Sequence, residues 1–296
     1  MSLVDRALVR VLPAVPRPVV QLFSARYIAG STLDDAVDVV RRLNGEGKLA
    51  TIDVLGEEIT REEEARAITQ AYLDVFAAIE CEGLGSNVSV KLTALGLNLS
   101  YGLCRENLAA IVAQGQFVRI DMEDSSTTDE TLRLYRELRE DGVENVGVVL
   151  QACLRRTVDD VRALADLRPN VRLCKGIYVE PPALTFTDYE AVRANYVKAL
   201  RALAALDASH VAIATHDEWL IGEALRALPP SYEFQMLLGV RQERAGELVR
   251  DGHRVRIYVP FGEQWYRYSL RRLQENPAMA GTIARSTVGR MLGRGE

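Results

Sequence analysis

Phe117-Val118-Arg119-Ile120-Asp121-Met122, then Thr128–Glu140, then Val146-Gly147-Val148-Val149-Leu150-Gln151 is the stretch whose reading decides the fold. Both flanking runs are short, β-branched and bounded by polar residues, so they read as strands. The segment between them is long enough for three to four helical turns, and Thr128 with Thr131–Leu132 opens it near Asp129 and Glu130. A strand, a helix and a second strand in that order make a right-handed βαβ unit with parallel strands.

The same unit repeats in both directions. Candidate strands are Leu49–Leu55, Val88–Leu92, Phe117–Met122, Val146–Gln151, Val171–Cys174, Val211–Thr215, Tyr232–Leu237 and Val255–Val259. The helical patterns between and after them are Arg61–Glu80, Arg105–Gln114, Thr128–Glu140, Thr157–Asp166, Asp188–Leu206, Glu218–Leu228, Glu243–Arg250 and Glu263–Glu275. Thr60 followed by Glu63 suggests a capping box, and Gly142, Gly222 and Gly252 are read at or near turns. Eightfold alternation points to a distorted α/β barrel of the (β/α)8 type rather than a doubly wound sheet. No G-x-G-x-x-G follows any strand. A helical pattern at Leu33–Leu43 precedes the first strand. The expected organisation is an N-terminal helical extension over 1–48, a catalytic barrel over 49–276 and a tail over 277–296.

Composition narrows the function. A net charge of −5 argues against general nucleic-acid binding, which needs a basic face. The four cysteines, Cys81, Cys104, Cys153 and Cys174, lack C-x-x-C spacing, and the three histidines lack an i, i+4 pair, so no metal site is expected. No run of eighteen apolar residues exists. The apolar N-terminus is broken by Pro13, Pro16 and Pro18 and carries Arg6, Arg10 and Arg17, which does not suit a signal peptide. The expected location is the cytoplasm, with peripheral association at the inner face of the membrane.

Barrel active sites lie where strands end. Here those ends carry Lys91, Asp121, Glu123, Gln151, Arg172 with Lys175-Gly176, Thr215-His216-Asp217, and Tyr258. Each could be an isolated structural ion pair or cap: Asp121 could cap the next helix, and Lys91 could pair with Glu57. Six such groups at six strand ends favour a shared cavity. The last helical pattern adds a stripe of Tyr268, Arg271, Arg272 and Glu275 at helical spacing. Paired guanidiniums suit a carboxylate, although a solvated face is the bland alternative.

Taken in order, several motifs resemble flavin-dependent proline dehydrogenases. They are Val88-Ser89-Val90-Lys91-Leu92-Thr93-Ala94-Leu95, Arg119-Ile120-Asp121-Met122-Glu123, Val149-Leu150-Gln151-Ala152 and Arg172-Leu173-Cys174-Lys175-Gly176-Ile177-Tyr178. Ala214-Thr215-His216, Tyr232-Glu233-Phe234-Gln235 and Tyr258-Val259-Pro260-Phe261-Gly262 continue the series, and Tyr268 with Arg271, Arg272 and Glu275 closes it. The resemblance implies FAD held without a covalent bond, oxidation of L-proline to Δ1-pyrroline-5-carboxylate, and a membrane quinone as electron acceptor.

By the same resemblance, Arg271, Arg272 and Lys91 would bind the proline carboxylate, with Glu57 holding Lys91. Tyr268 and Tyr258 would wall the ring, with Leu237 and Ile177 as apolar contacts. Arg172 would stand beside the flavin and Asp121 would organise Arg172 and Tyr258. Met122 and Gln151 would touch the flavin rings, while Lys175, Gly176, Ile177, Thr215, His216 and Glu275 would line the rest of the cofactor. Val179 stands where relatives often carry an aromatic residue, which weakens an adenine contact. The short Gly262–Arg271 segment leaves the register of Trp265 and Tyr266 open. Two rivals remain: an aldolase-type barrel with Lys91 or Lys175 as a Schiff-base amine, and a non-enzymatic scaffold presenting the arginine stripe.

Overall fold

Every strand pairs in parallel with its neighbours in sequence, and the eighth closes onto the first. This closed β1-to-β8 barrel appears in a computed structural model that describes residues 26–56, 59–206, 208–227, 232–266 and 269. The strands are β1 (Leu49–Val54), β2 (Ser86–Val90), β3 (Val118–Ile120), β4 (Val146–Gln151), β5 (Asn170–Cys174), β6 (His210–Ala214), β7 (Glu233–Leu237) and β8 (Arg254–Phe261). The helices are α1 (Leu33–Gly45), α2 (Glu62–Cys81), α3 (Tyr101–Val112), α4 (Thr128–Glu140), α5 (Thr157–Ala163), α6 (Tyr189–Ala205), α7 (Glu218–Ala227) and α8 (Gln242–Arg250). Helix α1 packs on β8 and β1.

The period-2 pattern of the strands separates two environments. Ile52, Val88, Val90, Val118, Ile120, Val148, Leu150, Val171, Leu173, Val211 and Ile213 are buried in one apolar cluster with the helices. In α4, Leu134, Tyr135 and Leu138 supply the matching stripe, and the Tyr135 hydroxyl accepts a hydrogen bond from the Asn170 N–H at 3.2 Å. The alternate residues, including Asp53, Ser89, Arg119, Arg172, Gln235, Glu233 and Arg256, are buried and polar. Arg172 bonds to residues on or just after β2, β3 and β7, none of which neighbours β5, so these contacts cross the lumen. The centre of this barrel is a polar network rather than stacked aliphatic layers.

Several local expectations shift. The capping box of α2 is Arg61 with Glu64, not Thr60 with Glu63; Glu64 accepts from the N–H groups of both Thr60 and Arg61. Helix α3 starts earlier than Arg105, because the Ser100 side chain caps it by accepting from the Leu103 N–H. Helix α5 ends at Ala163 and gives way to a 3₁₀ turn at Ala165–Leu167. Arg168 then takes a left-handed φ of 43°, and Pro169 disfavours a further α-helical residue before it. Gly142 and Gly252 occupy positive-φ turns as expected, whereas Gly222 lies inside α7.

Candidate active site

Strands β2 and β3 stop at Val90 and Ile120, which puts Lys91 and Asp121 just beyond their C-terminal ends. Lys91 Nζ lies 2.7 Å from Asp53 Oδ2, and the Asp53 side chain is fully buried. The expected partner Glu57 lies outside the described residues; Asp53 is a partner the sequence reading did not name. Burial pushes the Asp53 carboxyl up, the Lys91 charge pulls it back, and the nearby Asp121 charge pushes it up again. The Tyr72 hydroxyl donates to the Ser89 carbonyl at 2.7 Å and to Asp53 Oδ1 at 3.3 Å. Asp53 is therefore fixed from two sides.

From Lys91 the network continues across the rim. Lys91 Nζ is 3.4 Å from the Tyr258 hydroxyl, which donates to Asp121 Oδ2 at 3.0 Å. Asp121 Oδ1 accepts from Arg172 Nη1 at 2.6 Å. Arg172 Nη2 donates to Ser89 Oγ at 2.9 Å, Nε donates to Gln235 Oε1, and the guanidinium lies 5.6 Å from the Tyr258 ring centroid. Gln235 Nε2 in turn donates to Glu233 Oε1 at 2.6 Å, and Arg256 bonds Glu233 at 2.8 and 3.0 Å. A continuous chain of charge and hydrogen bonds thus runs from Asp53 at the rim to Arg256 near the opposite end.

A second group flanks the first. Gln151 Nε2 donates to the Glu123 carbonyl at 2.6 Å, next to Met122, and Glu123 accepts from the Thr93 N–H at 3.0 Å. Gly176, at φ 92°, packs so tightly that a Cβ there would stand 2.3 Å from Cys153 Sγ and 2.9 Å from Gln151 Oε1. Lys175 Nζ is 3.4 Å from Asp217 Oδ2. Asp217 also accepts from Arg193 at 2.7 and 2.9 Å and from the Tyr189 hydroxyl at 2.6 Å. Burial raises the Asp217 carboxyl, but these partners outweigh it and hold it far below the usual range. His216 Nε2 accepts from the Leu237 N–H at 3.1 Å, and Thr215 Oγ1 accepts from the Asp217 N–H at 3.1 Å. Ile177 is half-exposed and Val179 fully exposed on the loop after β5.

The expected residues Lys91, Asp121, Arg172 and Tyr258 are one connected cluster, with Met122 and Gln151 beside it. Lys175, Thr215 and His216 form the adjoining group around Asp217. Tyr268, Arg271, Arg272 and Glu275 lie outside the described residues. The sequence reading missed Asp53 and Ser89 and gave Gln235 no role. Asp53 carried a usable signal, a lone charge inside the apolar run Leu49–Leu55 and in register with the strand face that bears Thr51.

The family model of proline dehydrogenase matches residues 36–285. Proline dehydrogenase 1 of Bacillus subtilis (strain 168) is 40% identical over 273 residues, covering 89% of this chain and 90% of that protein. Proline dehydrogenase of Deinococcus radiodurans is 34% identical over 273 residues, 87% of each chain. Among solved structures, proline utilization A (PutA) from Bdellovibrio bacteriovorus, inactivated by N-propargylglycine, superposes with a TM-score of 0.79 at 26% identity. That match covers 86% of this chain and 32% of the PutA chain. With its barrel closed, its rim cluster assembled and residues 36–285 matched by that family's model, the chain belongs to the proline dehydrogenase family.

Proposed function

We propose that the chain oxidises L-proline to Δ1-pyrroline-5-carboxylate, the first step of proline breakdown, using non-covalent FAD and passing electrons to a membrane quinone. The observation that carries this reading is the Asp121–Arg172–Tyr258 cluster at the C-terminal rim, in a chain of this family. Among the described residues no helix is long and apolar enough to cross a membrane, so contact with a quinone pool would be peripheral.

The rim fits a flavin dinucleotide in its chemistry. Arg172 offers a buried cation beside a site where negative charge can collect, and Lys175 offers a half-exposed ammonium suited to phosphate. The tight backbone at Gly176 allows close approach of a flat ligand. Met122 and Gln151 would face the flavin rings, with Ile177, Thr215, His216 and Glu275 along the remainder. When bound, the flavin supplies the hydride-accepting chemistry.

The protein's part is placement and charge. Arg271 and Arg272 would grip the substrate carboxylate with Lys91, whose charge is held in place by Asp53. Tyr258, fixed by Asp121, and Tyr268 would wall the pyrrolidine ring, with Leu237 and Ile177 as apolar contacts. The amine of proline must have lost its proton before hydride leaves the ring, so the reactive substrate is the free amine with its nitrogen lone pair available. Arg172 stabilises the charge that develops on the electron-accepting side. The Schiff-base rival fits poorly, because the Lys91 and Lys175 amines are both engaged by carboxylates, Asp53 at 2.7 Å and Asp217 at 3.4 Å.

The test is a visible spectrum of the purified protein with a steady-state assay on L-proline and an artificial electron acceptor. Oxidised-flavin bands and proline-dependent turnover are expected. Arg271→Met and Arg272→Met should each raise KM for proline at least about tenfold, the loss of a charge-assisted contact. A colourless protein inert to proline in the presence of added FAD overturns the reading.

A further inference from the structure

The lumen's charges pair off with one exception. Lys91 is matched by Asp53, Arg172 by Asp121 and Arg256 by Glu233. Arg119 is 2% exposed, and among the described residues it has no carboxylate partner at ion-pair distance. Its Nη1 donates to the carbonyls of Val148 and Asn170 at 3.1 and 2.9 Å, its Nη2 donates to Asn170 Oδ1, and its Nε has no partner. The guanidinium lies across Gly147, where a Cβ would sit 2.4 Å from Nη1, and 4.9 Å from the Phe117 ring centroid. An uncompensated buried cation is costly, and a ring face offsets little of that. Burial first, and the Arg172 charge second, push its pKa down to about 9.

Arg119 also borders an open concavity of about 910 Å³ at the N-terminal mouth of the barrel, where β5, β6, β7 and β8 begin. Arg254, largely exposed, stands on the same wall and reaches Glu233 only at 3.7 Å, since Arg256 and Gln235 already occupy that carboxylate. Asn87 and Gln116 line it with buried amide oxygens that have no partner among the described residues. Asn87 can turn its amide end to present a donor, whereas Gln116 Nε2 is committed to the Phe76 carbonyl at 3.3 Å. The cavity is thus walled by surplus positive charge and unsatisfied polar atoms, on the face opposite the rim cluster.

We propose that this N-terminal mouth binds a small oxyanion, a carboxylate or a phosphate, on the wall shared by Arg119 and Arg254. Such a ligand brings negative charge close to Arg119, whose own nitrogens are buried and largely committed to the Val148 and Asn170 oxygens, while the exposed fork of Arg254 supplies the contacting donors. The site is separate from the proposed proline site and does not depend on that reading.

Calorimetric titration of the full-length protein with inorganic phosphate, and in a parallel arm with acetate, tests it; whichever anion binds more tightly identifies the ligand class. Arg119→Met removes three structural hydrogen bonds, so Arg254→Gln carries the comparison, with Lys175→Gln as a control on the opposite rim. Expected is a saturable site for at least one anion, weakened at least about fivefold by Arg254→Gln and retained in Lys175→Gln. No saturable binding of either anion, or saturable binding that Arg254→Gln leaves unchanged, overturns the proposal.

Discussion

Lys91 Nζ and Asp53 Oδ2, 2.7 Å apart, form an ion pair in which the carboxylate has no exposed surface and the lysine almost none. Breaking a buried pair from one side leaves an isolated charge, which costs more than removing both partners. Asp53→Ala is therefore expected to lose about 3–5 kcal/mol in chemical denaturation. Adding Lys91→Met to it should recover a sizeable part of that loss. A double variant no more stable than Asp53→Ala would show that the pair is not the dominant interaction at either residue.

Arg172 is held at Nε, Nη1 and Nη2 by Gln235, Asp121 and Ser89, so its charge has a fixed place at the rim. A fixed cation favours an anionic reduced flavin more than the neutral oxidised one. Arg172→Met is expected to lower the flavin midpoint potential by about 30 mV or more, the two-electron equivalent of ~1.4 kcal/mol. Spectroelectrochemical titration of the flavin-loaded variant measures this directly. A potential equal to or above the parent's removes Arg172 from the electrostatic role given to it.

Acid stability should fall in two separable windows. Burial, aided by the Arg119, Arg254 and Arg256 charges and opposed by Glu233, lowers the His210 pKa to about 4. Folding then disfavours the protonated ring, so the contribution is full above the unfolded value near 6.5 and is lost as pH falls toward 4. For Glu233, burial raises the carboxyl, but the Arg256 charge and hydrogen bonds outweigh it and hold the pKa at about 2. Its contribution is full above the ordinary value of 4.5 and disappears toward pH 2, on the order of 3 kcal/mol. Denaturation midpoints between pH 7 and 2 should show His210→Gln flattening the upper window and Glu233→Gln the lower. If neither substitution alters the pH dependence, the two groups are not the ones titrating.

The β/α order was legible because eight apolar runs are separated by helical stripes, and β4 and α4 fall at their expected bounds. Helix ends were less so. The start of α3 depends on Ser100, which has no apolar signature, and the end of α5 on a left-handed Arg168. At the site, strand-end charges such as Lys91, Asp121 and Arg172 stood out against apolar neighbours. The Asp121 link to Arg172 and Tyr258 came with the family resemblance, but Asp53 and Gln235 did not stand out as partners, because inward polar groups on separate strands can meet in several ways. Asp53 lies 38 positions from Lys91, and Gln235 lies 63 from Arg172. Single-sequence spacing cannot report which of several inward polar groups meet.

In the proposed cofactor site, Gly176 holds a backbone geometry that one added methyl group can test. At φ 92° an L side chain is strained, and an added Cβ would enter the space of Cys153 Sγ at 2.3 Å and Gln151 Oε1 at 2.9 Å. Cys153 is pinned by its backbone, whose N–H donates to the Lys175 carbonyl at 2.7 Å and whose carbonyl accepts from the Phe186 N–H at 2.7 Å. Gln151 is pinned by its bond to the Glu123 carbonyl, so neither side chain yields freely. Gly176→Ala is expected to cost about 1–3 kcal/mol of stability from strain and overpacking together. Because Lys175 adjoins this turn in the proposed flavin site, flavin should also be retained less well on gel filtration. Cys153→Ala in the same background removes the nearest clashing atom and should restore part of both losses. If it restores neither, the Gly176 requirement lies in its φ angle alone, and the turn's contact with β4 does not shape the cofactor site.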